Sequence, residues 1–175
     1  SILRVLADRQ PLPARYLLLG SASPDLVRGV SETLAGRVSL VPMAGFDLSE
    51  VGAKELRRLW WRGGFPRSYL AASDAESRQW RDDFIQTFLE RDLRRLGVQV
   101  APLALRRFWN MVAHYHGQVL NASEIGRSLG EAHTTVKRHL DILCGALVMR
   151  QLPPWFENLG KRQVKSPKVY LRDSG

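Results

Sequence analysis

The chain is poor in several things that would define its class. It has one cysteine, Cys144, so no internal disulfide can form and a reducing cytoplasm is the expected compartment. No apolar run nears the ~20 residues that a spanning helix needs, and no signal-peptide pattern opens the chain, so no membrane partner is expected. Lysine is scarce: of 26 basic residues only Lys54, Lys137, Lys161, Lys165 and Lys168 are lysines. Acid is short as well, 17 residues, which leaves a net charge of +9. That balance suits an anionic partner, and guanidinium groups suit bidentate contacts to phosphate or carboxylate. The same bias also arises when arginine merely replaces lysine on solvated faces. No metal site is expected: His114 and His116, two apart on a helix, point to opposite sides.

What is present is a hydrophobic content of 45% in 175 residues, enough for one good core or two small ones. "SILRVLADR" reads as the end of an amphipathic helix, broken by "QPLPAR". "RYLLLGSAS" is a continuous apolar run ending in small residues, as buried strands of parallel sheets do. Ser23 and Pro24 cap and open a helix over "PDLVRGVSETLA", Gly36 stops it, and "RVSLVPM" is a second strand. One strand–helix–strand unit cannot cover both faces of a parallel sheet, so residues 1–46 read as the edge of a larger α/β domain.

Residues 47–118 read as a helical region. A helix ends near Trp61 and is followed by a Gly63-Gly64-Phe65-Pro66 turn. The next runs from an N-cap at Ser73, with Glu76 completing a capping box, to a stop at Gly97. Its stripe of Trp80, Phe84, Phe88, Leu89 and Leu93 has helical spacing. "LALRRFWNMVAHYHGQ" is another amphipathic helix. Trp60, Trp61, Phe65 and Trp80 are expected in the core rather than as a stacking platform for bases. Asp82, Asp83, Glu90 and Asp92 alternate with arginines and read as a solvated, salt-bridged face. For the glycine turn, flanked by Arg62 and Arg67, phosphate contact and plain packing both stand.

Residues 119–175 carry the most legible pattern. Asn121 and Glu124 cap a helix that Gly130 closes, and a second helix runs from about His133 to Leu143. Ile125, Leu129, Val136, Leu140 and Leu143 form the shared core, leaving Thr134, Thr135, Lys137, Arg138 and Asp141 outward. Short polar and basic side chains near the start of a second helix can reach base edges and phosphates in a major groove. Strand-like pieces at 147–152 and 168–172 enclose a basic loop with Lys161, Arg162 and Lys165. Together these predict a winged helix-turn-helix whose loop touches phosphates, with DNA as the expected partner. Ala132, where a Ser or Asp would cap the second helix, counts against tight reading. Winged helices also serve as purely architectural modules.

Six stretches in order, "YLLLGSAS", "SETLAGRVSL", "LWWRGGFPRSYL", "FIQTFLERDL", "GQVLNASEIGRSLG" and "LGKRQVKSPKVYLRDSG", resemble prokaryotic predicted AAA-type ATPases with a C-terminal domain of unknown function. The resemblance covers essentially the whole chain. It implies a mainly α fold with a small α/β part: a partial AAA-type core edge, a helical region and the winged helix-turn-helix. Nothing here matches G-x-x-x-x-G-K-[ST]; "ENLGKRQ" lacks the first glycine and the hydroxyl residue. The chain therefore reads as a fragment that starts just after Walker B and is inactive alone, in a parent that binds ATP and Mg. The resemblance further implies Ser21 as a sensor orienting the attacking water and Arg37 as an arginine finger reaching a neighbouring subunit in a homo-oligomer. Ser23 could fill the sensor place or act only as an N-cap, and Arg37 could be a cation at a helix C-terminus. On this reading ATP turnover in the parent is coupled to a partner, DNA. A freestanding winged-helix transcription regulator and a basic protein-interaction module are the alternatives.

Overall fold

Helices of the structure begin and end on the glycines, prolines and short polar residues that punctuate the sequence. The computed structural model describes residues 2–9, 16–17, 34, 36–39, 41, 43–95, 98–155 and 166–175, in two units, Ser1–Met43 and Ala44–Gly175. The described residues are mainly helical, with one small antiparallel sheet. None of the helices among them is long and apolar enough to cross a membrane.

In the first unit, helix α1 (Ile2–Ala7) leads to Asp8, whose carboxylate accepts a hydrogen bond from Arg37 Nε. Gly36 has φ +73°, the left-handed conformation expected of a helix stop. The expected α/β edge is not formed by the described residues. Val38, Ser39, Val41 and Met43 belong to no strand, and Val41 and Met43 are 84% and 89% exposed. A buried strand needs ladder partners and apolar cover on its faces; among the described residues of this stretch none is in a strand, and Val41 and Met43 lack such cover. Of the other expected strand only Tyr16 and Leu17 are described, and both are exposed. Ser21 and Ser23 lie outside the described residues.

The second unit opens on a full capping box. Asp47 Oδ1 accepts from the N–H groups of Ser49 and Glu50, and the Glu50 carboxylate accepts from Asp47 N–H, starting α2 (Leu48–Val51). A short 3₁₀ turn (Ala53–Glu55) leads into α3 (Leu56–Arg62), which Gly63 terminates. Pro66 opens α4 (Pro66–Tyr69). Ser73 caps α5 (Asp74–Thr87) by accepting from Glu76 N–H, while the Glu76 carboxylate reaches the N–H of Ala72 rather than that of Ser73. The helix then widens into a π-helical turn, Phe88–Asp92, before α6 (Leu93–Arg95). An aromatic series runs along it: Phe65 on Phe84 at 4.9 Å, Trp80 on Phe84 at 5.3 Å, Phe84 on Phe88 at 5.7 Å. Phe65 and Trp80 pack in this series but are half-buried and lie outside the main core cluster, in which they are expected. Trp60 and Trp61 are 72% and 63% exposed, because α3 turns Leu59 and Arg62 inward and leaves both indoles on its outer face.

Pro102 opens α7 (Pro102–His114), followed by α8 (Ala122–Leu129) and α9 (His133–Gly145). Strands β1 (Met149–Leu152) and β2 (Lys168–Leu171) pair antiparallel, with Met149 opposite Leu171 and Leu152 opposite Lys168. One core serves all of this. Phe88, Leu89 and Leu93 pack in the same cluster as Leu105, Phe108 and Val112 of α7, Ile125 of α8, Val136, Leu140 and Leu143 of α9, and Met149 and Val169 of the strands.

The Gly63-Gly64 turn is explained by the far end of the chain. Asp173 Oδ2 accepts from Gly64 N–H at 2.7 Å, and Ser174 Oγ donates to the Leu59 carbonyl at 3.2 Å. Arg62 is fully engaged nearby, with Asp74 at 2.7 Å and with the carbonyls of Tyr69 and Ala71. Packing between chain segments, rather than phosphate, occupies this turn.

Candidate nucleic-acid interface

The α8–α9 pair is built by one close approach. Glu131 N–H donates to the Gly126 carbonyl at 2.8 Å, and a Cβ on Gly126 would stand 2.6 Å from the Glu131 carbonyl oxygen. Only glycine fits there. Asn121 Oδ1 caps α8 through Glu124 N–H, and Gly130 adopts the left-handed conformation between the helices.

Helix α9 is sharply two-sided. Val136, His139, Leu140 and Leu143 are buried, whereas Thr134, Lys137, Arg138 and Asp141 are exposed and Thr135 is half-buried. Its N-cap, Ala132, supplies no side-chain cap, so the first N–H groups of the helix are left to solvent or to an anion. Asp141, by contrast, is tied to Gln151 Nε2 at 3.2 Å.

The hairpin alternates as its register requires. Met149 and Val169 point into the core, and Arg150 and Lys168 are exposed. Residues 116–120 run beside β2: Gly117 N–H donates to Val169 O, Val169 N–H to Gln118 O, and Leu120 N–H to Pro167 O. His116 Nδ1 accepts from Leu171 N–H, which gives this histidine a structural partner. Lys161, Arg162 and Lys165 lie outside the described residues. Arg150 and Arg127 are exposed cations that the sequence reading passed over; the period-2 pattern of "MRQL" carried the signal for Arg150.

His139 was also passed over. It is 3% exposed, its ring lies 5.5 Å from that of Phe108, and its Nδ1 sits 3.5 Å from Glu131 Oε2. Burial holds the imidazole below its ordinary pKa, aided by Arg138 and opposed by Glu131. The folded chain therefore resists a proton that the unfolded chain accepts. Stability should be full above the usual histidine range, ~6.5, and fall as pH drops below it. Thermal melts between neutral and mildly acid pH should show this loss, and His139→Leu should flatten the histidine part of the curve. A wild-type melting point independent of pH across that window would refute the assignment.

Of the two residues expected to handle nucleotide, Ser21 is outside the described residues and Arg37 is bonded to Asp8 within the first unit. Asp92, in the π-helical turn, pairs with Arg91 at 2.8 Å.

Comparison with known proteins places the chain in a family. Residues 53–175 match the model of a domain of unknown function, DUF8612, and the chain belongs to that family. It is 56% identical over 174 residues to the uncharacterized protein Mb2031c of Mycobacterium bovis and, at the same identity, to the uncharacterized protein Rv2008c of Mycobacterium tuberculosis. These alignments cover 99% of this chain and 40% of each relative, so the chain spans well under half the length of the curated relatives it matches. No solved structure matches. These findings overturn the resemblance to AAA-type ATPases: the matching family is a different one, and no AAA family matches. The ordered stretches that carried that resemblance fall largely within the DUF8612 match. With it goes the ground for the sensor role of Ser21, the arginine-finger role of Arg37, and ATP and Mg in the parent.

Proposed function

We propose that residues 102–175 are a winged-helix module that binds duplex DNA through α9 and the hairpin. The order supports this reading: a helix (α7), a strand-like segment at 116–120 bridged to β2, a helix–turn–helix pair, then a hairpin. The module on this reading begins at Pro102, earlier than residue 119, because α7 and the bridging segment are parts of it. The observation that carries the proposal is the two-sidedness of α9. One face is locked into the core, and the other presents Thr134, Lys137 and Arg138 beside an N-terminus without a side-chain cap. Arg150 and Lys168 on the outward face of the hairpin, with Lys161, Arg162 and Lys165 between the strands in sequence, add cations for backbone phosphates. Residues 119–175 hold nine basic and five acidic side chains, so the charge has the required sign. The reducing cytoplasm is the compartment we assign, where the half-buried Cys144 remains a thiol.

The test is binding of a labelled blunt duplex by fluorescence anisotropy. Raising salt from about 50 to 200 mM should weaken binding about a hundredfold or more if four to five phosphates are contacted. Lys137→Ala/Arg138→Ala should lower the slope of log affinity against log salt by about two. Duplex binding that ignores salt, or a variant with the wild-type slope, would leave α9 without this role.

A further inference from the structure

We propose that the outer face of α3 is a second nucleic-acid site, a platform on which Trp60 and Trp61 stack the bases of an unpaired strand. Two observations carry it. Both indoles are mostly exposed, at 72% and 63%, on a helix whose other side is fixed by Arg62 and Leu59. Their surroundings are cationic: α3 itself has no acidic residue, Arg57 and Lys54 are exposed, and Glu55 is occupied by the Tyr69 hydroxyl and Arg58.

Helical spacing sets the geometry. Residues four apart are neighbours, so Arg57 stands beside Trp61 and Leu56, itself 57% exposed, beside Trp60. On this proposal each exposed indole receives a base, and Arg57, three residues before Trp60 and four before Trp61, supplies one guanidinium beside both for the adjoining phosphate. Stacking of this kind tolerates any base and favours a strand whose base faces are free; a double helix hides those faces in its own stack. An acidic peptide would satisfy the cations but offer the indoles no π-partner. A lipid surface is a poor match to a helix of 7 residues, three of them arginines. The inference does not depend on the duplex reading of α9, which uses other residues.

The experiment is fluorescence anisotropy of a labelled short oligothymidine, run beside the blunt duplex, with the whole chain. Trp60→Ala/Trp61→Ala should weaken oligothymidine binding about tenfold or more while leaving duplex binding unchanged. Trp60→Phe/Trp61→Phe should retain most of it, because the π-faces remain. Lys137→Ala/Arg138→Ala should do the converse, weakening the duplex and sparing the single strand, so that failure of either site is read separately. Both tryptophans are exposed, and the double alanine variant should melt as the wild type does. Wild-type affinity in that variant, or no binding of oligothymidine by the unaltered chain, overturns the proposal. So does sedimentation showing that the wild type self-associates and the double alanine variant does not, since the face would then be a contact between copies of this chain.

Discussion

Phe108→Ala should cost about 3–5 kcal/mol of unfolding free energy, read as a lowered urea midpoint with an unchanged slope. Phe108 is 0% exposed and the largest of the fully buried side chains. It lies on α7 between Leu105 and Val112, in the cluster that also holds Ile125, Leu140 and Met149, and its ring faces His139. Removing it deletes apolar burial and leaves a void in a cluster drawn from the π-helical turn, α7, α8, α9 and both strands, which cannot all close in together. A domain whose total stability is ~5–15 kcal/mol loses much of it in that one step. Phe108→Leu, which keeps most of the volume, should cost under about 1.5 kcal/mol. A loss below about 1 kcal/mol in the alanine variant would mean that the core is not centred on α7.

Gly63→Ala should be nearly as damaging, for reasons of backbone rather than volume. Gly63 has φ +74° and ψ 179°, a region that only glycine enters easily. A Cβ there would stand 1.9 Å from Asp173 Oδ1, so the carboxylate would be driven off the Gly64 N–H that it now holds. Backbone strain of about 1–3 kcal/mol and loss of a charge-assisted hydrogen bond worth about 1.5–3 together predict about 3–5 kcal/mol. The two parts are separable. Asp173→Ala alone loses that hydrogen bond together with the one that Asp173 Oδ1 accepts from Gly175 N–H at 2.9 Å. In the double variant the collision with the carboxylate is gone while the Gly175 nitrogen stays 2.9 Å from the new Cβ, so the combined cost should fall short of the sum of the single ones. Strict additivity in the urea curves would show that Gly63 and Asp173 do not touch.

How much of this was readable beforehand depended on how local the determinants are. Asp47, Ser73 and Asn121 announce helix starts because a cap acts within three residues, and the α5, α7, α8 and α9 stripes repeat with the period of their own helix. The inward face of α9 was readable too: His139 lies three residues after Val136 and four before Leu143, so spacing alone marks it as buried. Other features join residues far apart. The Gly64–Asp173 bond spans 109 positions, and nothing in "RGGFP" indicates that a carboxylate from the far end will settle there. The edge at 116–120 carries no alternation, because its bonding partner rather than its composition makes it strand-like. The described residues of the second expected strand, "RVSLVPM", depart from the expectation for a related reason. Continuous hydrophobicity is compatible with a buried strand but needs neighbours to become one, and Val41 and Met43 lie open to solvent. The outward cations of α9 were legible as a pattern, whereas the exposure of Trp60 and Trp61 emerged only once α3 had chosen its inner face.

The shared core has a mechanical corollary. Phe88 and Leu93 from the end of the helical stretch share one cluster with Ile125, Leu140 and Val169, so that end and the hairpin are held by the same packing. A load applied at the hairpin travels along β2 into Asp173 and from there to the end of α3. The turn after α3 and the end of the hairpin should accordingly share a strain applied to either, because the Gly64–Asp173 bond ties one to the other.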